Sequence, residues 1–285
     1  MKVFISIDME GVSGLVRWAD VVTAGQDYAL NRSLLTADAN AAVAGSFEAG
    51  ADEVVVEENH GVEDLCNLCM DEIDPRCRVI RGPGRPGATT MAGLDSDTDV
   101  MLLIGHHARA GSFPGIMAHT VSYGEFRAVR INGRDCGESE IFAIRAGELG
   151  VPVGLISGDQ IVIEQLSKRT PWVEAVEVKR ALSQSAANLI PPKRARELIT
   201  AGAAKAVARA ARNDLPVYRD EPAPYSIEVE LCEPVDDAMR ENLDAVGDFK
   251  VVNERTILTE ASDMDLGFRR IAYLGYCRQP GRTRY

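Results

Sequence analysis

Short apolar runs alternate with longer segments of helical character through the first half of the chain. The first run is Lys2–Ile7, and a second, residues 53–57, is centred on three consecutive valines. Between them, residues 31–49 place leucines, a phenylalanine and many alanines at helical spacing, and Gly50 follows as a residue that favours helix termination. A strand, a helix and a strand joined by short segments predict a βαβ unit, and therefore a parallel sheet with a right-handed crossover.

The same two periodicities predict the remaining elements. Further strands are predicted at residues 78–81, 99–104, 152–156, 225–231, 249–253 and 256–260. Further helices are predicted at residues 137–149, 192–213, 236–243 and 263–277, and a hairpin is predicted at 117–131, turning near residues 123–125. The pattern indicates the α/β class, with a mostly parallel sheet flanked by helices in residues 1–160 and a smaller α+β part in residues 161–285.

Composition and charge exclude several classes of partner. Lys and Arg number 31 against 43 Asp and Glu, and the net charge of -12 argues against nucleic acids and anionic membranes. No apolar run reaches the length of about 18 residues that a membrane span requires. Six cysteines, together with a carboxylate as early as Asp8, favour reduced thiols and a cytoplasmic location over export.

Acidic residues and histidines follow several of the predicted strands. Asp8 and Glu10 follow the first strand, His60 follows the second, and His107 follows strand 99–104. Glu138 stands at the start of helix 137–149. Ligands bind beyond the carboxyl ends of parallel strands, so these side chains are expected to line one crevice.

Carboxylates and imidazoles together form a mixed oxygen and nitrogen ligand set. Zn²⁺ binds such a set readily, with Mn²⁺, Co²⁺ or Fe²⁺ as alternatives. A single acid or histidine after a strand is more often a turn or capping residue, but residues after three separate strands are harder to explain in that way. Five ligands exceed the three that a catalytic zinc normally uses, which favours two cations that share a carboxylate and activate a water.

Several segments resemble the signatures of the zinc-dependent D-aminopeptidase family, the DppA-type M55 peptidases. The segments are, in order, residues 8–14, 105–110, 114–120, 132–138 and 151–159, with further similarity at Val178-Lys179 and in the helix that begins at Pro192. The resemblance covers nearly the whole chain and keeps the order and spacing of several motifs.

The resemblance implies two zinc ions per subunit. Asp8 would bridge the two ions, Glu10 and His107 would complete one, and His60 and Glu138 would complete the other. His119 would be the catalytic residue, unligated and facing the substrate. The family label of nucleophile leaves open whether His119 attacks, transfers protons or stabilises an oxyanion, and we favour one of the last two roles.

The resemblance also implies a substrate and an assembly. The expected activity is removal of the amino-terminal residue from short peptides, particularly D-amino-acid peptides such as D-Ala-D-Ala. The expected assembly is a ring-like homo-oligomer such as a decamer, with residues 161–285 completing the substrate site and the subunit contacts. The alternatives are another metal-dependent amidohydrolase or deacetylase, and a non-catalytic metal-dependent peptide-binding protein.

Three further residues or segments carry narrower expectations. His106 is expected to have a structural or supporting role, because adjacent residues at a strand end face opposite ways. Lys179 is expected to be exposed at a strand end, with substrate binding as the alternative. Glu58-Asn59 precedes His60 where the family often has a shorter acid and a small residue, which leaves open how that ligand is supported.

Overall fold

The structure is a computed structural model that describes residues 1–62, 65–85 and 90–277. The strands in these ranges are β1 (Lys2–Ile7), β2 (Glu53–Glu58), β3 (Arg78–Ile80), β4 (Val100–His106), β5 (Phe126–Ile131), β6 (Arg134–Asp135), β7 (Val153–Asp159), β8 (Glu174–Ala181), β9 (Ala187–Leu189), β10 (Tyr225–Leu231), β11 (Phe249–Val251) and β12 (Thr256–Ala261). The helices are α1 (Trp18–Val21), α2 (Tyr28–Glu48), α3 (Glu138–Leu149), α4 (Gln160–Ser167), α5 (Pro192–Ala210), α6 (Asp237–Val246) and α7 (Met264–Tyr276).

The larger sheet has the strand order β3-β2-β1-β4-β7-β8-β9. Its strands are parallel except for β9, which runs antiparallel to β8. The central strand β1 pairs with β2 and β4, so that Ile5 lies between Val56 and Leu102. All three strands are apolar at their centres, as expected of parallel strands that are covered on both faces.

Two hydrophobic cores cover the two faces of the larger sheet. Val3 and Ile5 of β1 join the core that α2 and α5 close, where Leu35 and Ile199 are buried. Phe4 points the other way and joins the core formed with α3, α7 and the second sheet. The period of two along β1 therefore divides its side chains between the two cores.

The smaller sheet is antiparallel and has the order β11-β12-β10-β5-β6. Its strands β5 and β6 precede residue 160, and β5 pairs with β10, while from beyond residue 160 β8 extends the larger sheet and α5 covers one of its faces. The fold class expected from the sequence, a mostly parallel sheet flanked by helices with a smaller α+β part, is confirmed, and the smaller part contains the antiparallel sheet. The division into two domains at residue 160 remains a prediction.

The hairpin predicted at residues 117–131 is wrong. Only Phe126–Ile131 forms a strand there, and the residues before it form an irregular loop. The hairpin lies instead between β5 and β6, where Asn132 and Gly133 adopt φ angles of 50° and 76°. Asn-Gly favours a tight turn of this kind, so the sequence of residues 132–133 did indicate the hairpin between β5 and β6.

None of the described helices is long and apolar enough to cross a membrane. The cytoplasmic location expected from the sequence remains a prediction.

Candidate active site

Three neighbouring strands end at the same edge of the larger sheet and carry three of the predicted site residues. Asp8 directly follows β1, His60 stands two residues after β2, and His107 directly follows β4. The backbone N–H of Asp8 donates to Ile104 of β4 at 2.9 Å, and that of Asn59 donates to Ile7 of β1, also at 2.9 Å. These bonds continue the sheet ladder past the strand ends, so the three loops leave the sheet side by side.

Two glycines allow the loop after β1 to touch the end of β4. Gly105 has a φ of 69°, and a Cβ at that position would lie 2.2 Å from the backbone oxygen of Asp8. The N–H of Gly11 donates to the oxygen of Gly105 at 2.7 Å, and a Cβ on Gly11 would lie 2.0 Å from a backbone oxygen of β4. Any larger residue at either position would push Glu10 away from His107.

Glu138 reaches the same place from the first residue of α3. Its helix is closed at the amino end by the Glu140 carboxylate, which accepts the N–H of Gly137 at 2.6 Å. A carboxylate in the first turn of a helix is favoured by the partial positive charge there. The Oε1 of Glu138 also accepts the N–H of Val121 at 2.8 Å, which ties α3 to the loop that carries His119.

The five predicted metal ligands come together in one buried cluster. The Nδ1 of His60 lies 3.0 Å from Glu10 Oε2 and 3.6 Å from Asp8 Oδ1. The Nε2 of His107 lies 3.3 Å from Asp8 Oδ2 and 3.4 Å from Glu138 Oε1. Asp8 therefore stands between two groups of ligand atoms, as a bridging carboxylate would.

His119 lies beside the same cluster. Its Nε2 is 4.0 Å from Glu10 Oε1 and 3.8 Å from Glu138 Oε1. Its ring stacks on that of His107, with the centroids 3.9 Å apart and the planes 10° apart. All six residues expected at the site are thus adjacent, although the role of each remains a prediction.

Each of the three imidazoles donates its outer N–H to a backbone carbonyl. The pairs are His60 Nε2 to Val21 at 2.8 Å, His107 Nδ1 to Ala108 at 3.0 Å and His119 Nδ1 to Met117 at 2.9 Å. Because a carbonyl oxygen only accepts, the nitrogen that faces it must carry the proton. Such bonds orient a metal-binding imidazole, and in the neutral form they leave the lone pair on the nitrogen that faces the cluster.

Burial and neighbouring charges shift the pKa values of Asp8, His60 and His107 in opposite directions. Burial alone would raise the pKa of Asp8, but the adjacent His107 and His60 imidazoles hold that pKa well below its usual range. Burial lowers the pKa of His60 and His107, but the adjacent carboxylates outweigh it and raise both well above the ordinary value. For His119, burial and the neighbouring His107 together lower the pKa.

The cluster fits bound cations. In the part of the chain that the structure describes, no lysine or arginine forms an ion pair with Asp8, Glu10 or Glu138. Three buried carboxylates in contact need neutralising charge, which here comes only from imidazoles or from cations. The Nε2 of His107 is buried without a hydrogen-bond partner, which is the condition of a ligand atom directed at a cation. The mixed donor set is one that zinc accepts.

The nearest ligand atoms are not paired as the resemblance implied. The resemblance assigned Glu10 and His107 to one ion and His60 and Glu138 to the other. In the structure the nearer partner of His60 is Glu10, and Glu138 lies next to His107. The division of ligands between two ions remains a prediction.

His106 lies outside both groups of ligand atoms. Its ring packs edge-on against Phe142, with the centroids 5.6 Å apart and the planes 89° apart. The side chain is buried in the core on the other side of β4 from the cluster. This position agrees with a structural rather than a ligating residue.

The expectation that Lys179 is exposed is wrong. Its side chain is only 1% exposed and its Nζ donates to the backbone oxygens of Glu10 and Leu15. Burial lowers the pKa of Lys179 to about 8. The pairing of β7 with β8 shifts between Gly158 and Asp159, just where Lys179 pairs, so the alternation that would have placed the lysine outside is broken.

Glu58 and Asn59, which depart from the family pattern, support different parts of the site. The Glu58 carboxylate accepts the N–H groups of Asn67 and Leu68, so it fixes the loop after His60. The Nδ2 of Asn59 reaches Glu138 Oε2 at 3.4 Å. Asn59 therefore supports a carboxylate of the cluster from the adjoining strand end.

A cavity of about 460 Å³ opens above the cluster. Its lining includes the polar side chains of Asp8, Glu10, His60, His119 and Glu138, which we call its polar end, and the apolar or aromatic side chains of Trp18, Val62, Tyr123, Phe268 and Tyr276, which we call its apolar end. Such a volume is typical of sites for small ligands. The cavity therefore suits a short peptide with a charged end and an apolar end.

A parallel sheet with acids and imidazoles gathered at its carboxyl edge defines the class of α/β metallohydrolases. The D-aminopeptidase family of M55 peptidases matches residues 1–272. The chain is 34% identical over 200 residues to the D-aminopeptidase of Bacillus subtilis strain 168, an alignment that covers 70% of this chain and 71% of that protein. The chain belongs to the D-aminopeptidase family, which confirms the aminopeptidase expected from the sequence motifs.

A solved structure has the same fold. It is the Zn-dependent D-aminopeptidase DppA from Bacillus subtilis, described as a self-compartmentalizing protease. The two chains superpose with a TM-score of 0.87 over 100% of each, at 27% sequence identity.

Proposed function

We propose that this chain is an aminopeptidase that binds two zinc ions per subunit and releases the amino-terminal residue of short D-amino-acid peptides. The proposed ligands are Asp8, Glu10, His60, His107 and Glu138, and the proposed catalytic residue is His119. The observation that carries the proposal is that three imidazoles, each oriented by a backbone carbonyl, face three buried carboxylates at one end of a cavity.

The chemistry is divided between the cations and the side chains. When bound, a zinc pair acts as a Lewis acid and lowers the pKa of a coordinated water. The free amine of the peptide would be held near the proposed cations, at the polar end of the cavity. The cavity encloses the amide to be cleaved and limits access to short peptides.

His119 is placed to move a proton. Its pKa is lowered by burial and by His107, so the neutral form with a lone pair on Nε2 is favoured near neutral pH. That nitrogen faces the carboxylates of the polar end and lies beside the cavity. A neutral imidazole in this position can take a proton and return it to the leaving amine.

The preference for D-residues is tested by peptide release. We would incubate the purified protein with D-Ala-D-Ala, L-Ala-L-Ala and N-acetyl-D-Ala-D-Ala and measure free alanine. The proposal expects alanine to be released from D-Ala-D-Ala and little from the other two peptides. Both the free amine and the D-configuration are expected to determine how the peptide is oriented in the site. Equal release from the L-dipeptide would contradict the D-preference, and release of acetate would favour the deacetylase alternative.

We also propose that the chain forms a ring-like homo-oligomer, and a decamer is the expected form. The support is its similarity along the full chain to a protein described as self-compartmentalizing. Light scattering coupled to size-exclusion chromatography measures the mass in solution. A mass of ten chains is expected, and a monomer would contradict the proposal.

A further inference from the structure

An aromatic surface adjoins His119 at the boundary between the polar and apolar ends of the cavity. The Trp18 ring meets His119 edge-on, with the centroids 5.2 Å apart and the planes 68° apart. Tyr123 lies against Trp18 at a centroid distance of 3.9 Å. We call the surface formed by Trp18 and Tyr123, which both line the cavity, the Trp18 wall.

The Trp18 wall is held in place by the same contacts that hold the cluster. Trp18 is the first residue of α1, whose last residue Val21 accepts the N–H of His60. The Asp20 carboxylate accepts the N–H groups of Val16 and Arg17 at 3.0 Å and 3.2 Å and so closes the start of the helix. The wall therefore has a fixed position relative to the proposed ligand His60.

Two aromatic side chains from α7 also line the cavity and add to its apolar surface. Phe268 is buried, and Tyr276 is half exposed. The methyl group of an alanine substrate would leave most of this apolar surface in contact with water. Such surface gains favourable free energy only when a large apolar group covers it.

We propose that the Trp18 wall binds the side chain of the substrate's amino-terminal residue and selects large apolar side chains such as that of D-phenylalanine. This inference rests on the proposed function, because it needs the amine at the polar end and the amide carbonyl near His119. The first side chain branches from the carbon between those two groups. We place it against the surface that adjoins His119, which is the Trp18 wall.

The kinetic test compares D-Phe-D-Ala with D-Ala-D-Ala in the wild-type protein and in two variants. In the wild type, kcat/KM for the D-Phe peptide is expected to exceed that for the D-Ala peptide about tenfold or more. Trp18→Ala should lower the D-Phe value about tenfold more than it lowers the D-Ala value, while Trp18→Phe, which keeps an aromatic ring, should retain most of the preference. If both peptides lose kcat/KM by the same factor in Trp18→Ala, so that the ratio of the two values stays the same, the inference is overturned.

A binding test needs no catalysis. The chain contains two tryptophans, so Trp172→Phe leaves Trp18 as the single indole fluorophore. Titration of this variant with free D-phenylalanine should change the emission in a saturable way, at a lower concentration than D-alanine requires. No change with D-phenylalanine would overturn the inference. A wild-type protein that binds D-phenylalanine in this way but cleaves no peptide would contradict the proposed function but not the binding of an apolar side chain at the Trp18 wall.

Discussion

The Nζ of Lys179 donates hydrogen bonds to the backbone oxygens of Glu10 at 2.7 Å and of Leu15 at 2.6 Å. Lys179 lies on β8, two strands away from β4, and the two carbonyls lie at both ends of the turn that follows β1. The lysine thus fixes the segment from which the Glu10 carboxylate enters the cluster. It acts on the site through the backbone rather than through a substrate.

Lys179→Met should therefore weaken zinc binding in a folded protein. The methionine keeps the length of the side chain but donates no hydrogen bond, so the turn loses its anchor to β8. Removal of a residue that supports a metal ligand typically costs about 10–100-fold in metal affinity or activity. We expect a loss of that size in zinc affinity, measured by competition with a chelator, and in kcat/KM.

Arg180→Met is the matched control for this prediction. Arg180 is the next residue of the same strand, and 58% of its side chain is exposed. Its replacement should leave zinc affinity unchanged. Wild-type zinc affinity in Lys179→Met would show that the contact with Glu10 has no part in the site.

His107 and His119 should respond differently to replacement by alanine. His107→Ala removes a proposed ligand, so the bound zinc should fall and hydrolysis should be lost. His119→Ala should keep its zinc and lose about 10²–10⁴-fold in kcat, the contribution typical of a proton-transferring residue. Elemental analysis of both purified variants, together with kinetics, checks the pair. Loss of zinc from His119→Ala would make His119 a ligand instead.

The buried carboxyl of Asp38 should make stability depend on pH. Its oxygens accept the N–H and the Oγ–H of Ser13 in the turn after β1. Burial raises the pKa of Asp38 from its ordinary 3.8 to about 6, so the folded protein holds this proton more tightly than the unfolded chain does. Unfolding then releases a proton between these two values, and the stabilisation falls as the pH rises through that window.

The measurement compares the wild type with Asp38→Asn, which has no proton to lose. The wild-type free energy of unfolding, relative to the variant, should fall by up to roughly 3 kcal/mol between about pH 4 and pH 6 and change little above that range. Urea denaturation of the metal-free proteins at several pH values gives this difference. A difference that does not depend on pH would show that Asp38 titrates normally.

The buried strands were predictable because a strand covered on both faces is apolar at its centre. Strand β1 was predicted at its observed bounds and β2 to within a residue, and the alternating pattern of β10 predicted its observed bounds as well. The proposed ligands could be found because each one follows a strand or begins a helix at the same edge of the sheet.

Other features depend on contacts between distant residues, which one sequence does not display. The burial of Lys179 follows from a shifted register between β7 and β8, and β8 itself has only a short apolar pattern. The Trp18 wall requires α1 to lie against His119 across a separation of 101 residues, whereas the sequence there shows only a tryptophan between an arginine and an alanine. The false hairpin at residues 117–131 came from apolar residues that bury in a loop rather than in a strand.

The zinc content of the purified wild-type protein tests the central claim most directly. Asp8, Glu10, His60, His107 and Glu138 supply enough ligand atoms for two cations, so elemental analysis after dialysis is expected to give two zinc ions per chain. One zinc ion or none per chain, in dialysed protein that cleaves D-Ala-D-Ala as fast as it did before dialysis, would contradict the account.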